Sequence, residues 1–199
     1  MAKVNKFCEK RNRIEQEDFN AIFREHFAEV FRAYTLGLMR YNDEIQQTIP
    51  QARTRLDSVL LSAKITESFI THFPENYSIG KYKRIIFRWA DAPVQLIIKK
   101  LNAKSSKPSY IPTILSDAIQ NQEQMSLFSD DRQVEEPILI FGYSKLQTGE
   151  IVEPRIVYFD GEAKWITYLD DAVNLQSASS DELLNVEVKL KKAEIKKAE

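Results

Sequence analysis

The sequence predicts an α+β fold, in which an antiparallel helix pair packs on an antiparallel sheet of about five strands. Apolar residues recur every three or four positions in the first third of the chain, which is the period of an amphipathic helix. After Gly80 the pattern changes to short runs of β-branched and aromatic residues, which favour strands. The 199 residues are 43% hydrophobic and 29% charged, so the chain can bury one substantial core.

The helix pair is predicted over residues 15–76, after a charged, aperiodic arm at residues 1–14 that is expected to be flexible. Acidic residues directly before the first stripe suit the positive end of a helix dipole. That stripe comprises Phe19, Ile22, Phe23, Phe27, Val30, Phe31, Tyr34 and Leu38. The pattern is expected to break from Asn42 to Pro50, where Pro50 opens a second helix that runs to about Phe73.

The sheet is predicted over residues 77–171. Tyr82 to Trp89 and Val94 to Ile98 form a candidate hairpin around an Asp-Ala-Pro turn. A helix over Val94 to Leu101 is the competing interpretation, because so short a run fits both periods.

Three further strands are predicted to form an antiparallel meander. Ile138 to Tyr143 has the strongest strand pattern, and Arg155 to Phe159 and Lys164 to Leu169 follow it. Asp160-Gly161 is a typical hairpin turn between the last two.

Residues 102–137 are predicted to be a long connecting loop that contains a short helix from Ile114 to Gln122. Connections of this length in a compact domain are usually functional or disordered. Residues 15–171 are expected to form one domain, because a chain of this length suits one shared core. Residues 172–199 are expected to be a linker followed by a lysine-rich C-terminal helix or tail.

Composition excludes several classes of protein. The net charge of -1 does not suit a uniformly basic nucleic-acid coat protein, although it permits a local basic surface. Cys8 is the only cysteine and has no intramolecular partner, which favours a reducing, cytoplasmic compartment. No apolar run is long enough to span a membrane or to act as a signal-peptide core.

The sequence offers few catalytic residues, and it predicts no cofactor and no metal. His26 and His72 lie in the two helices, and neither belongs to a recognisable arrangement of acid, base and nucleophile. Phosphate-binding glycine loops, dinucleotide-binding glycine patterns and zinc-spaced cysteines and histidines are all missing from the sequence.

One group of residues resembles part of a nuclease site. Glu162 and Lys164 form a Glu-x-Lys pattern similar to half of the metal-binding motif of restriction-type nucleases, in which carboxylates hold Mg²⁺. Asp160, Glu136 or Glu153 would have to supply the second acid. That family places it on a strand well upstream, whereas Asp160 belongs to the adjacent turn, so a solvated hairpin tip is the alternative explanation.

A second candidate is a basic surface on the predicted hairpin, where Asp91 is the only acid between residues 81 and 107. Its cations are Lys81, Lys83, Arg84, Arg88, Lys99, Lys100, Lys104 and Lys107. These residues predict contact with DNA or RNA phosphates, with the interleaved aromatic side chains of Tyr82, Phe87 and Trp89 stacking on bases. The alternative is that Phe87 and Trp89 face the core and the charges protect an edge strand.

The third candidate is the pentapeptide Gln124-Met125-Ser126-Leu127-Phe128 in the long loop. It resembles the clamp-binding motif of bacterial DNA-replication and repair proteins, whose pattern is Gln, Leu or Met, Ser or Asp, then Leu-Phe. The resemblance implies that Leu127 and Phe128 fill an apolar pocket on the sliding clamp. It also implies that Met125 occupies an adjoining pocket and that Gln124 makes polar contacts at the rim. A chance match to the full pattern is expected in about one chain in a thousand of this length.

The resulting functional hypothesis is a non-enzymatic interaction protein of bacterial or phage origin that docks on the replication sliding clamp and recruits or blocks a partner. The alternative for the pentapeptide is that Leu127 and Phe128 pack the loop back onto its own sheet. The alternative functions are a nucleic-acid-binding module, a Mg²⁺-dependent nuclease at Glu162 and Lys164, and an inhibitor that acts by surface contact alone.

Overall fold

The computed structural model describes most of the chain between Lys10 and Leu169. The described residues are 10–80, 83–102, 104–108, 113–123, 135–146, 149 and 151–169. Cys8, Lys81, Tyr82, the pentapeptide Gln124 to Phe128 and the predicted C-terminal helix or tail lie outside them. Within the described ranges, no helix is both long and apolar enough to cross a membrane.

The N-terminal helices are α1 (Gln16–Ile22), a single 3₁₀ turn (Arg24–His26), α2 (Phe27–Gln47) and α3 (Pro50–His72). The helix pair is therefore confirmed, with Pro50 in its first turn as predicted. The predicted break at Asn42 is wrong, because buried Tyr41 and half-buried Ile45 continue the apolar stripe through α2. At Gly37 the helices lie so close that an added Cβ would be 2.8 Å from Ile65 Cα.

The C-terminal part forms a six-stranded mixed sheet with strand order β1-β2-β3-β4-β5-β6. Its strands are β1 (Tyr77–Ile79), β2 (Ile85–Arg88), β3 (Gln95–Lys100), β4 (Ile138–Lys145), β5 (Ile151–Asp160) and β6 (Glu162–Tyr168). The α+β class is confirmed. The prediction of about five strands missed β1, a three-residue exposed strand too short to give a period.

The predicted fully antiparallel sheet is wrong at its centre, where β3 and β4 are parallel and Leu96 pairs with Leu139. Parallel neighbours need a long crossover, usually through a helix. Residues 102–137 provide it, and they contain α4 (Ile114–Gln120), close to the predicted short helix. The chain thus forms two antiparallel halves, β1-β2-β3 and β4-β5-β6, joined by a β-α-β unit.

Alternate side chains of the sheet enter two cores, as the two-residue period of a strand requires. Leu96, Leu139 and Phe141 face the N-terminal helices, and Phe141 contacts Phe69 of α3 with ring centroids 5.0 Å apart. On the opposite face, Ile97, Ile140, Val157 and Phe159 form a smaller cluster with Ile119 of α4. The helices cover one face as predicted, and α4 contributes to the cover of the other.

Residues 10–14, predicted as part of a flexible arm, are instead bonded to the fold. Lys10 forms a β-bridge with Glu123. The amides of Arg11 and Asn12 donate to the carbonyls of Gln122 and Glu135, at 2.7 and 3.1 Å. These bonds satisfy backbone groups on both sides of the chain's longest connection, which explains why so polar a segment is held.

Candidate functional site

Three cations of the predicted basic surface converge on one cavity of about 280 Å³. Lys83 and Arg84 precede β2, and Lys99 lies near the end of β3. The cavity is also lined by Thr66 of α3 and by the apolar side chains Ile85, Phe87, Ile97 and Ile98. The sequence placed these cations on one surface, but it gave no signal for Thr66.

The cavity lies where β2 and β3 separate. The two strands pair at Phe87 with Leu96 and at Arg88 with Gln95. Continuing that antiparallel register would set Arg84 opposite Lys99, two like charges whose direct approach is unfavourable. The described pairs stop before that point. Because the cavity's lining comes from both faces of the sheet, it opens through the gap between the strands.

Within the part of the chain that the structure describes, no carboxylate pairs with the cations in the cavity. Burial lowers the pKa of the Arg84 guanidinium below its ordinary value. Burial also lowers the pKa of Lys99, and the positive charge of Arg84 lowers it further. The ion pairs formed among the described residues include none with Lys83, Arg84 or Lys99. Both shifts have the direction expected when a cation is desolvated without a counter-charge.

Other members of the predicted basic surface point elsewhere. Arg88 donates to Ser78 Oγ at 2.7 Å and lies 3.9 Å from a Glu136 carboxylate oxygen. Lys100 does not line the cavity, and its charge instead lowers the pKa of Asp57. Lys104 and Lys107 are exposed in the loop that follows.

The prediction that Phe87 and Trp89 stack on nucleic-acid bases is wrong. Phe87 is 0% and Trp89 6% exposed, and both belong to the core under the helices. Any nucleic-acid contact on this surface would therefore depend on its charges.

A second polar cluster joins α2, α3 and β4. The Tyr41 hydroxyl and the Lys145 ammonium both donate hydrogen bonds to the Asp57 carboxylate. Burial and the bond to Asp57 raise the pKa of Tyr41 to about 12, so this phenol stays protonated at neutral pH. Burial alone would raise the pKa of Asp57, but the hydrogen bonds from Lys145 and Tyr41 outweigh it and lower that pKa. The cluster therefore fits a structural link between α2, α3 and β4 better than a catalytic base.

The described residues on both sides of the pentapeptide segment are bonded to the N-terminal residues 10–12. Gln122 and Glu123 bond to Arg11 and Lys10, while Glu135 bonds to Asn12. Since these partners are consecutive residues, the two ends of residues 124–134 lie close together. Sequence reasoning missed this support, because residues 10–14 have no period to reveal it.

Gln122 fixes the first of these ends. Its side chain is 1% exposed, and its Nε2 donates to the carbonyls of Ile138 and Phe159, each at 2.8 Å. Its Oε1 accepts from the Ile138 amide at 3.0 Å. Ile138 precedes Leu139 and Phe159 follows Tyr158, so the two lie just beyond the pair Leu139–Tyr158 of the antiparallel ladder. The glutamine amide therefore continues the β4–β5 hydrogen bonding.

The nuclease candidates form no acidic cluster. Asp160 pairs with Lys10 at 2.5 Å and lies 3.7 Å from Arg13. Glu162 is exposed and accepts a hydrogen bond from Lys164 at 3.0 Å. No group of three metal-ligating side chains occurs within the described ranges. Asp160 therefore serves as a counter-ion for the N-terminal segment, which the sequence did not indicate.

Each histidine has a carboxylate neighbour that sequence spacing could not reveal. His26 Nε2 lies 3.0 Å from Asp91 Oδ2, and His72 Nε2 lies 3.4 Å from Glu29 Oε2. His26 also contacts the rings of Phe23 and Trp89. Both histidines link separate segments at the boundary of the core.

Comparison of the chain with protein-family models, with curated proteins and with solved structures found no match. Function is therefore inferred from the residues of this chain and their geometry.

Proposed function

We propose that this protein docks on the DNA-replication sliding clamp through Gln124-Met125-Ser126-Leu127-Phe128, and that its α+β body recruits or blocks a partner there. The observation that carries the proposal is the full match of these five residues to the clamp-binding pattern. In the clamp-binding pattern, the positions of Leu127 and Phe128 are the apolar anchors that fill a pocket on the clamp.

The anchoring of the segment's two ends supports the proposal. A peptide that enters a groove has to leave its own sheet. Bonds to residues 10–12 hold Gln122, Glu123 and Glu135, so the described residues on both sides of the segment are fixed close to each other. An interaction limited to five residues gives affinity in about the micromolar range. The folded body would therefore supply a second contact or the effector function.

Replacing both anchors, Leu127→Ala and Phe128→Ala, is expected to weaken clamp binding at least about tenfold, because two buried apolar side chains each contribute about 1.5–3 kcal/mol. The measurement is calorimetric titration of a bacterial sliding clamp with the intact protein. The matched control is Val59→Ala with Ile114→Ala, which removes apolar side chains that are 69% and 71% exposed outside the motif.

Thermal unfolding of the same variants separates docking from packing onto the protein's own sheet. Docking predicts that the Leu127/Phe128 double variant unfolds at the wild-type temperature. Equal clamp affinity in wild type and double variant would exclude the motif from the function, and a lowered unfolding temperature would then assign the two side chains to the sheet.

A second candidate function is single-stranded nucleic-acid binding through Lys83, Arg84 and Lys99. The favouring observation is that these cations share one cavity and form no ion pair among the described residues. Neutralising all three to glutamine is expected to weaken binding of an oligonucleotide and to reduce its salt dependence by about 0.7 in logarithmic slope per lost contact. A wild-type protein that binds no oligonucleotide at low salt would remove this candidate.

A further inference from the structure

The positive cavity between β2 and β3 is lined by like charges that pair with no carboxylate among the described residues. Arg84 and Lys99 are partly buried, and their charges repel each other. Lys83, which is exposed in the turn between β1 and β2, adds a third positive charge. A group of cations that are partly buried without a counter-charge marks a candidate ligand site.

Protection of a sheet edge does not account for these cations. Lysines on an edge strand deter pairing with other chains. In this sheet, however, β2 and β3 are the second and third of six strands, and both have neighbours on either side. Lys99 therefore lies on an internal strand, and Arg84 and Lys83 lie in the turn before β2 that leads to its neighbour.

The dimensions and chemistry of the cavity fit a small oxyanion. Its volume of about 280 Å³ is just below the range of about 300–1,000 Å³ typical of small-molecule sites. The cavity is also lined by the apolar residues Ile85, Phe87, Ile97 and Ile98, and partial burial beside them strengthens electrostatic attraction relative to bulk water. Thr66 adds a neutral hydroxyl to the lining.

We infer that this cavity binds a phosphomonoester group, held by Lys83, Arg84 and Lys99. A phosphomonoester carries about −1.5 to −2 charges and three strong acceptor oxygens, which matches three convergent cations better than a singly charged carboxylate does. Arginine can contact two of its oxygens at once, while lysine contributes a compact charge. The group can come from free or small-molecule phosphate or from the terminus of a nucleic acid. The inference does not rest on clamp docking.

The first test is calorimetric titration with inorganic phosphate at constant ionic strength, together with thermal unfolding. Wild type is expected to bind phosphate and to unfold at a higher temperature in its presence. Arg84→Gln and Lys99→Gln are each expected to weaken binding about tenfold or more, since each removes a hydrogen bond to a charged group. Lys100→Gln is the matched control, because it changes the next residue of β3, which does not line the cavity.

Thermal unfolding without phosphate shows whether the variants remain folded. Removing one of two repelling charges is expected to leave the unfolding temperature of Arg84→Gln and Lys99→Gln equal to or above that of wild type. A purely structural role for these cations predicts the opposite, namely lower unfolding temperatures and unchanged phosphate affinity, and that result would overturn the inference.

A pair of oligothymidylates of one length, with a 5′-phosphate or a 5′-hydroxyl, identifies the source of the phosphate. Tighter binding of the phosphorylated strand that is lost in Arg84→Gln and Lys99→Gln assigns the cavity to a nucleic-acid terminus. Phosphate binding without this preference assigns it to a small ligand. If wild type binds no phosphate and shows no preference, the inference fails. If both strands nevertheless bind equally well and in a salt-dependent way, binding to the phosphodiesters of the strand survives that failure.

Discussion

Replacing Phe69 with alanine is expected to lower the free energy of unfolding by about 3–5 kcal/mol. Phe69 is fully buried in α3, and its ring lies 5.6 Å from that of Phe87 and 5.0 Å from that of Phe141. It therefore joins the helix pair to both halves of the sheet. Removing the ring loses apolar burial and leaves a cavity at the point where three elements meet. Urea denaturation followed by circular dichroism measures the loss.

Val59→Ala is the matched control for this substitution, because Val59 lies on the same helix but is 69% exposed. It is expected to change stability by less than about 0.5 kcal/mol. If Phe69→Ala cost less than about 1 kcal/mol, or no more than Val59→Ala, α3 would not pack on the sheet as described.

The sequence predicted the first long helix of the pair because Phe19, Phe23 and the other residues of their stripe repeat at a helical period over about 20 residues. The period also continued through Tyr41 to Ile45, which lies beyond the start of the predicted break at Asn42. Polar residues at 42–44 interrupt the run of apolar residues in the sequence, but they lie on the solvent-exposed face of α2. Counting every buried position, instead of stopping at the first polar run, would have extended the helix correctly.

The parallel pairing of β3 and β4 was missed for a different reason. Alternation of side chains is the same in parallel and antiparallel strands, so the pattern at Leu96 or Leu139 carries no information on strand direction. The informative signal was the long connection with α4 inside it, since parallel neighbours need such a crossover. Treating residues 102–137 only as a loop removed that signal.

The sequence identified the cations of the candidate site but not their grouping. Charge spacing along the chain placed Lys99 and Lys100 together, whereas the strand sends adjacent side chains to opposite faces. Lys99 consequently lines the cavity, and Lys100 acts on Asp57 on the helical side. Thr66 comes from α3, far away in sequence, and only the packing of that helix on the sheet brings it to the same place.

Gln122 gave no signal because a glutamine among polar residues normally indicates a solvated loop. In the fold it is buried and bonded to the backbones of β4 and β5. Its φ of 52° lies in the left-handed region, which costs about 1 kcal/mol for a residue with a side chain. Three hydrogen bonds to buried backbone groups, each contributing about 0.5–1.5 kcal/mol, outweigh that cost.

Gln122→Leu is therefore expected to destabilise the protein by about 3 kcal/mol, because a side chain of similar size leaves the Ile138 amide and the carbonyls of Ile138 and Phe159 buried without this partner. Hydrogen exchange provides a local readout, since the Ile138 amide should exchange faster in the variant than in wild type. Gln120→Leu is the matched control, as Gln120 contributes its backbone carbonyl to the Gly161 amide and keeps that bond after substitution. Unchanged exchange at Ile138 in Gln122→Leu would show that this glutamine does not hold the end of the motif-bearing segment against the sheet.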